Sequence, residues 1–177
     1  MTKTKWAVDR AHSSIDFAIR HLMVSNVKGT FHAFSAVIEA DPANLTTANI
    51  AFTVDLESVD THNKERDAHL LTPDFFDIDK FPQMTFLANN IVETGENKYD
   101  MIGEFSLHGV TRSETFAVTY EGAAKDPAGQ EKIGFRARGS INRKDYELNF
   151  NKPLETGGVL LGDQVNISLD ILASKET

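Results

Sequence analysis

Three small groups of side chains carry the residue types that chemistry needs. The first is His12-Ser13-Ser14, with Asp9 and Asp16 close by. These are the components of a nucleophilic triad. Neighbours on a strand point to opposite faces, so His12 and Ser13 are expected to diverge. No Gly-x-Ser-x-Gly elbow is present, although a triad can also be assembled from distant positions. The second group is His62, Glu65 and His69, which share one face if the segment is helical. They are metal-ligand types, but the His-Glu-x-x-His signature is missing and a metal needs a complete ligand set. The expectation is hydrogen bonds that dock the segment, with no metal. The third group is charged neighbours, Arg143 with Asp145 and Glu65 with Arg66, read as ion pairs rather than acid–base catalysts. There is no cysteine, so thiolate chemistry, disulfides and Cys-based zinc sites are excluded. No catalytic residue and no cofactor is expected. The remaining use for these cations is recognition: Arg143, Arg66, His12 or His21 at the mouth of a cavity could hold a phosphate or carbonyl group.

The elements that must position these groups read mainly as strands. Apolar residues alternate with polar ones along Ile15-Phe17-Ile19, Ile50-Phe52-Val54-Leu56 and Tyr99-Met101-Gly103-Phe105-Leu107. The same period runs through Phe116-Val118-Tyr120, Ile133-Phe135-Ala137-Gly139-Ile141 and Val165-Ile167-Leu169-Ile171. Turn residues separate the stripes at Asp41-Pro42, Thr94-Gly95-Glu96-Asn97, His108-Gly109 and Asp126-Pro127-Ala128-Gly129. Gly157-Gly158 and Gly162-Asp163 bound a short piece before the last strand. One stretch departs from this pattern. Residues 60–71 are rich in helix formers, with Asp60 or Thr61 as the cap, and Thr72-Pro73 predicts a second short helix start. The architecture expected is a single domain over residues 1–177, mainly β. It is an extended antiparallel barrel of about eight strands with a short helical insert.

A barrel of that size has room inside for side chains or one slender ligand. Twelve phenylalanines suit either use, a filled core or an apolar lining. The chain carries 26 acidic against 18 basic residues, a net charge of -8, which disfavours nucleic acid and anionic surfaces. No apolar run is long enough for a transmembrane helix. Ala7-Val8 is followed at once by Asp9-Arg10, so no signal peptide is expected and a cytoplasmic location follows as an expectation.

Several motifs in order go beyond pattern. Trp6-Ala-Val-Asp9-Arg-Ala-His12-Ser13 is followed by Phe17-Ala-Ile-Arg-His21-Leu22-Met23 and Val27-Lys28-Gly29-Thr-Phe31. The insert reads Asn63-Lys64-Glu65-Arg66-Asp67-Ala-His69-Leu70, then Asp74-Phe75-Phe76-Asp77, Phe81-Pro82 and Met84-Thr-Phe86. Later come Gly103-Glu-Phe-Ser-Leu107-His108-Gly109-Val110-Thr111 and Gly139-Ser-Ile141-Asn142-Arg143-Lys-Asp145-Tyr146. From Trp6 to the last strand the chain closely resembles the YceI-like family of polyisoprenoid-binding proteins. The resemblance implies a lipocalin-like barrel that holds a long isoprenoid chain, such as a polyprenyl phosphate or a quinone-type lipid. Many members of this bacterial family are exported to the periplasm, and a chain without a signal peptide resembles the cytoplasmic ones. At one position the sequence departs from the family pattern: Glu147 stands where glycine is usual.

The function expected is therefore binding of an isoprenoid lipid for storage, transport or protection, without covalent chemistry. The alternative is an enzyme acting on an apolar substrate in the same cavity. Expected ligand contacts are Phe17, Ile19, His21, Phe31, Phe34, Phe52, Phe75, Phe76, Phe86, Met101, Phe105, Phe135, Arg143 and Tyr146, with Ile50 and Phe116 as further candidates. Burying one methylene is worth about 0.8 kcal/mol, so several isoprene units would reach micromolar binding even after ordering costs. An exposed strand edge or apolar mouth would allow a homodimer. No nucleic-acid partner is expected.

Overall fold

The apolar stripes become the inner face of a closed antiparallel sheet. The computed structural model describes residues 3–152, 154 and 158–176. Its strands are β1 (Thr4–Val8), β2 (Ser14–His21), β3 (Ser25–Phe31), β4 (Phe34–Ala40), β5 (Asn49–Asp55) and β6 (Val59–Asp60). After the helix α1 (Lys64–Leu70) come β7 (Gln83–Gly95), β8 (Lys98–Leu107), β9 (Val110–Lys125), β10 (Glu131–Asn142) and β11 (Leu161–Lys175). The ring runs β1-β4-β5-β7-β8-β9-β10-β11 and closes where β11 meets β1, with Trp6 opposite Lys175.

Three of the staves are broken strands. β1 and β2 both lie along β11 and are interrupted by the turn Arg10–His12. β3 and β4 pair with β2 and β1 in turn, while β5 and β6 pair with β4 and β3 across the turn Leu56–Ser58. Counting each broken pair once gives the expected eight-stranded barrel. β6 has two residues and pairs only with β3, whereas β7 joins the wall beside β5, with Gln83 opposite Asp55. Between β6 and β7 the wall is left to residues 61–82, including α1.

Local chemistry explains where the structure departs from the expected boundaries. Asp60 belongs to β6, and its carboxylate accepts the His62 N–H, so Asn63 caps α1 instead by accepting from Arg66 N–H at 3.0 Å. Thr72-Pro73 starts no second helix. The Phe76 and Ile78 amides donate back to the Leu70 and Leu71 carbonyls, and residues 72–80 fold as consecutive turns. Gly162-Asp163 is not a turn either. It lies inside β11, where the register against β2 shifts between Leu161 and Val165. Of the Gly157-Gly158 pair, Gly157 lies outside the described residues.

The barrel stays partly hollow because glycines seat aromatic rings against the wall. Phe17 faces Gly29 across β2 and β3, and a Cβ at Gly29 would overlap that ring. Likewise a Cβ at Gly139 would come within 2.7 Å of the Phe116 ring. With no side chain at either glycine, the Phe17 and Phe116 rings occupy that space against the wall.

At the closed end, Asp9 ties the Arg10–His12 turn to β10. Lys132 Nζ donates to its carboxylate at 3.0 Å, and His12 Nδ1 lies at the same distance from it. These two hydrogen bonds, Lys132 first, hold the Asp9 carboxyl down at about 2. A depressed carboxylate stabilises the fold above its ordinary pKa and loses that contribution as pH falls through the depressed value. Thermal melts between pH 4 and pH 2 are therefore expected to decline less steeply in Asp9→Asn than in the parent. Parallel curves would show that the contact contributes nothing.

Candidate functional site

Three cavities follow one another along the barrel axis. The widest of these three, about 340 Å³, lies at the end covered by the insert, and a more open, polar groove of about 950 Å³ lined by Asp16, Lys28, Asp60 and Arg138 lies outside the series. The second, about 50 Å³, shares Ile15, Met84, Phe105 and Ile167 with it. The third, about 60 Å³, shares Phe52, Met101 and Leu169 with the second and reaches Ile38 and Ala40 near the closed end. The series is a line of apolar chambers, a wide one at the mouth and two small ones beyond it, each sharing lining residues with the next.

The expected contacts distribute along this line of chambers. Phe17, Ile19, His21, Phe31, Phe75, Phe76, Phe105 and Arg143 line the mouth chamber. Phe52, Phe86, Met101 and Phe116 line the middle one, and Ile50, Phe52, Met101 and Phe135 the deepest. Phe34 and Tyr146 line none of the three. Phe34 is buried beneath the Arg10 guanidinium, 5.0 Å from its ring centre. Tyr146 is fully buried, donates its hydroxyl to Glu114 at 2.5 Å and packs edge-on against Phe105. Burial, followed by the Glu114 hydrogen bond, raises the Tyr146 pKa above its ordinary value.

The segment after β10 supplies lining that the sequence pattern did not reveal. Leu148, Phe150 and Lys152 reach the mouth chamber together with Leu160 and Leu161. Phe150 forms an aromatic cluster with Phe75 and His69, with centroids 5.0 and 5.1 Å away. Asn151 fastens this segment to the wall: its amide donates to the Leu161 carbonyl, and its carbonyl accepts the Leu161 N–H. The apolar spacing of Leu148 and Phe150 was the available signal, too short to read as a strand.

Of the chemistry-bearing groups, the two expected ion pairs are not formed, while His12 and Ser13 diverge as expected. Arg143 does not pair with Asp145, which lies 3.9 Å from Arg112. The Arg143 guanidinium is only 2% exposed and donates to three carbonyls, Gly162, Leu148 and Phe150, at 2.7, 2.6 and 2.8 Å. Its Nη2 is the one buried side-chain polar atom among the described residues that has no hydrogen-bond partner. Burial lowers its pKa from the ordinary value, and Asp163 opposes that shift. Arg66 likewise bonds not to Glu65 but to Thr61, through the hydroxyl and the carbonyl. His62 precedes α1 with φ 61° and turns toward Asp60, whereas His69 bonds Asp74 at 2.8 Å, so the His62–Glu65–His69 face is not assembled. His12 turns to Asp9, Ser13 Oγ exchanges hydrogen bonds with the Leu172 backbone, and Ser14 donates to Asp16.

Glu147 ends the turn Arg143–Tyr146 in the left-handed region, at φ 61°. That explains why glycine suits the position: the turn ends in a left-handed cap. A side chain there costs about 1 kcal/mol. Glu147→Gly is therefore expected to raise the melting temperature by about 2–4 °C. An unchanged or lower value would show that the side chain makes a compensating contact.

A family model described as the YceI-like domain matches residues 6–173. A UPF0312 protein of Staphylococcus epidermidis is 43% identical over 163 residues, covering 92% of each chain. Among solved structures, BcnA of Burkholderia cenocepacia superposes with a TM-score of 0.80 at 26% identity, covering 93% of this chain and 98% of that one. A polyisoprenoid binding domain from Saccharophagus degradans, implicated in plant cell wall breakdown, shares the fold with a TM-score of 0.72 at 15% identity, covering 98% and 99%.

Proposed function

This chain belongs to the YceI-like family, and from that premise we propose that the whole chain is one lipid-binding domain that carries or protects a single long isoprenoid lipid. The observation that carries this reading is the linked series of apolar chambers. A branched polyene tail can thread them in extended form, gaining burial with every unit. The domain from Saccharophagus degradans named for polyisoprenoid binding has the same fold. We assign the head group to the mouth chamber, whose lining includes the cations Arg143, Arg66 and Lys152, and Arg143 Nη2 is buried without a hydrogen-bond partner among the described residues. A phosphate answers both the missing acceptor and the buried charge, whereas a quinone carbonyl answers only the acceptor. A polyprenyl phosphate is therefore preferred. The protein acts by sequestration, without forming or breaking a covalent bond in its ligand.

Native mass spectrometry of the purified protein, followed by organic extraction and lipid identification, tests this directly. A near-stoichiometric isoprenoid lipid is expected. Protein that carries none, and takes up none when polyprenyl phosphate is added in detergent, would overturn the reading.

A further inference from the structure

The turn between β2 and β3 places bulky apolar side chains where turn geometry favours small polar ones. The His21 carbonyl accepts the Val24 N–H at 3.3 Å, which makes Leu22 and Met23 the central pair of a tight turn. Both are left-handed, at φ 54° and 63°. Two consecutive left-handed residues are the requirement that Asn-Gly meets without strain, and leucine and methionine do not. Packing explains only part of their presence, since the Met23 thioether lies against Gly158 while much of each side chain stays in solvent. Leu22 is 43% exposed, Met23 57% and Val24 79%.

The tip stands on the rim of the mouth chamber. The Leu22 N–H donates to the Leu160 carbonyl at 2.8 Å, and both His21 and Leu160 line that chamber. Val159, exposed at 39%, adds a further apolar side chain to the same rim. Along the sequence, the stretch that carries the tip is less acidic than the rest of the chain. Residues 17–38 contain no aspartate or glutamate, although the chain has 26 acidic residues, and they include Arg20 and Lys28. The Arg20 guanidinium closes the turn by donating to the Met23 carbonyl at 2.7 Å.

An exposed apolar point flanked by Arg20 and Lys28, with Asp16 at the far end of β2 the one acid of its hairpin, beside the opening of an apolar cavity, fits one kind of partner: a bilayer surface bearing anionic head groups. We propose that Leu22-Met23-Val24 is a membrane-docking tip that seats the cavity mouth on a lipid bilayer while cargo passes between them. Docking takes its cargo from the function proposed above, but the surface itself is tested independently of it.

The test compares the parent with Leu22→Asn/Met23→Gly, a pair that suits the left-handed turn and is expected to hold or raise the melting temperature. Both proteins are sedimented with vesicles of phosphatidylethanolamine and phosphatidylglycerol. Vesicle partition is expected to fall at least tenfold in the variant, and the rate of polyprenyl phosphate uptake from vesicles should fall with it. Equilibrium loading from detergent should stay unchanged. Equal partition of the two proteins, or a parent that does not bind vesicles, overturns the proposal. So does a dimer of the parent that the substitutions dissociate without changing partition. Failure of both proteins to load lipid from detergent counts against the cargo reading alone, and the partition result still decides the tip.

Discussion

Arg143→Met is expected to destabilise the protein by about 3 kcal/mol and to abolish its preference for a phosphate head group. The guanidinium is the clasp between the start of β11 and the segment that carries Leu148 and Phe150, through its three carbonyl contacts. Charge-assisted hydrogen bonds contribute about 1.5–3 kcal/mol each, against a desolvation cost of several kcal/mol for the buried ion. Methionine removes the ion but leaves three acceptors without their donors, and the balance falls on the unfavourable side. Urea unfolding would show the midpoint drop. Competition between a polyprenyl phosphate and its uncharged alcohol would show the lost preference. Arg143→Lys should recover only part of either effect, because one ammonium cannot span three carbonyls and a ligand. A methionine variant of parental stability would mean that water satisfies the carbonyls. One that kept the phosphate preference would place the head group elsewhere.

The second large effect separates capacity from stability. In Gly29→Val the new side chain takes the space in which the Phe17 ring lies, so the ring must swing into the mouth chamber, which it already lines. Valine suits a strand, and the displaced ring fills a void, so unfolding is expected to change by no more than about 1 kcal/mol. Excluding about four ligand carbons from burial at ~0.8 kcal/mol each amounts to about 3 kcal/mol, or roughly a hundredfold weaker binding. Titration with polyprenyl phosphate in detergent measures it. Parental affinity would show that the tail bypasses Phe17. A large loss of stability would trace instead to crowding against Thr61, whose Cγ2 would lie 3.0 Å from the added Cβ.

The barrel was legible in the sequence because half-buried strands write their period directly. Ile133 to Ile141 alternate without interruption, and every second residue faces inward on β10. The insert was legible as an interruption, but its details were settled by backbone competition. Asp60 could have capped a helix had it not been drawn into pairing with Thr30 on β3. The site was less legible, since its chemistry depends on carbonyl groups that carry no residue signature. Arg143 beside Asp145 reads as an ion pair until the chain folds and Leu148, Phe150 and Gly162 turn their carbonyls to it. Phe34 and Tyr146 show the converse. Their hydrophobic character marks them for burial, but not for which side of the lining they occupy. The hollow itself is invisible in composition, because twelve phenylalanines suit a filled barrel as well as a lined one, and which rings sit over glycines is decided by strand register.

The chain has one tryptophan, Trp6, and its position makes it a gauge of depth. The indole is buried at the closed end and donates from Nε1 to the Ala40 carbonyl at 3.2 Å. Ala40 is itself a wall residue of the deepest chamber. Intrinsic fluorescence should therefore ignore a short guest confined to the mouth and change once a tail is long enough to press on Ala40. A homologous series of prenyl chains, added one length at a time, would give a silent range followed by a step, and the length at the step would measure the track from rim to floor in isoprene units.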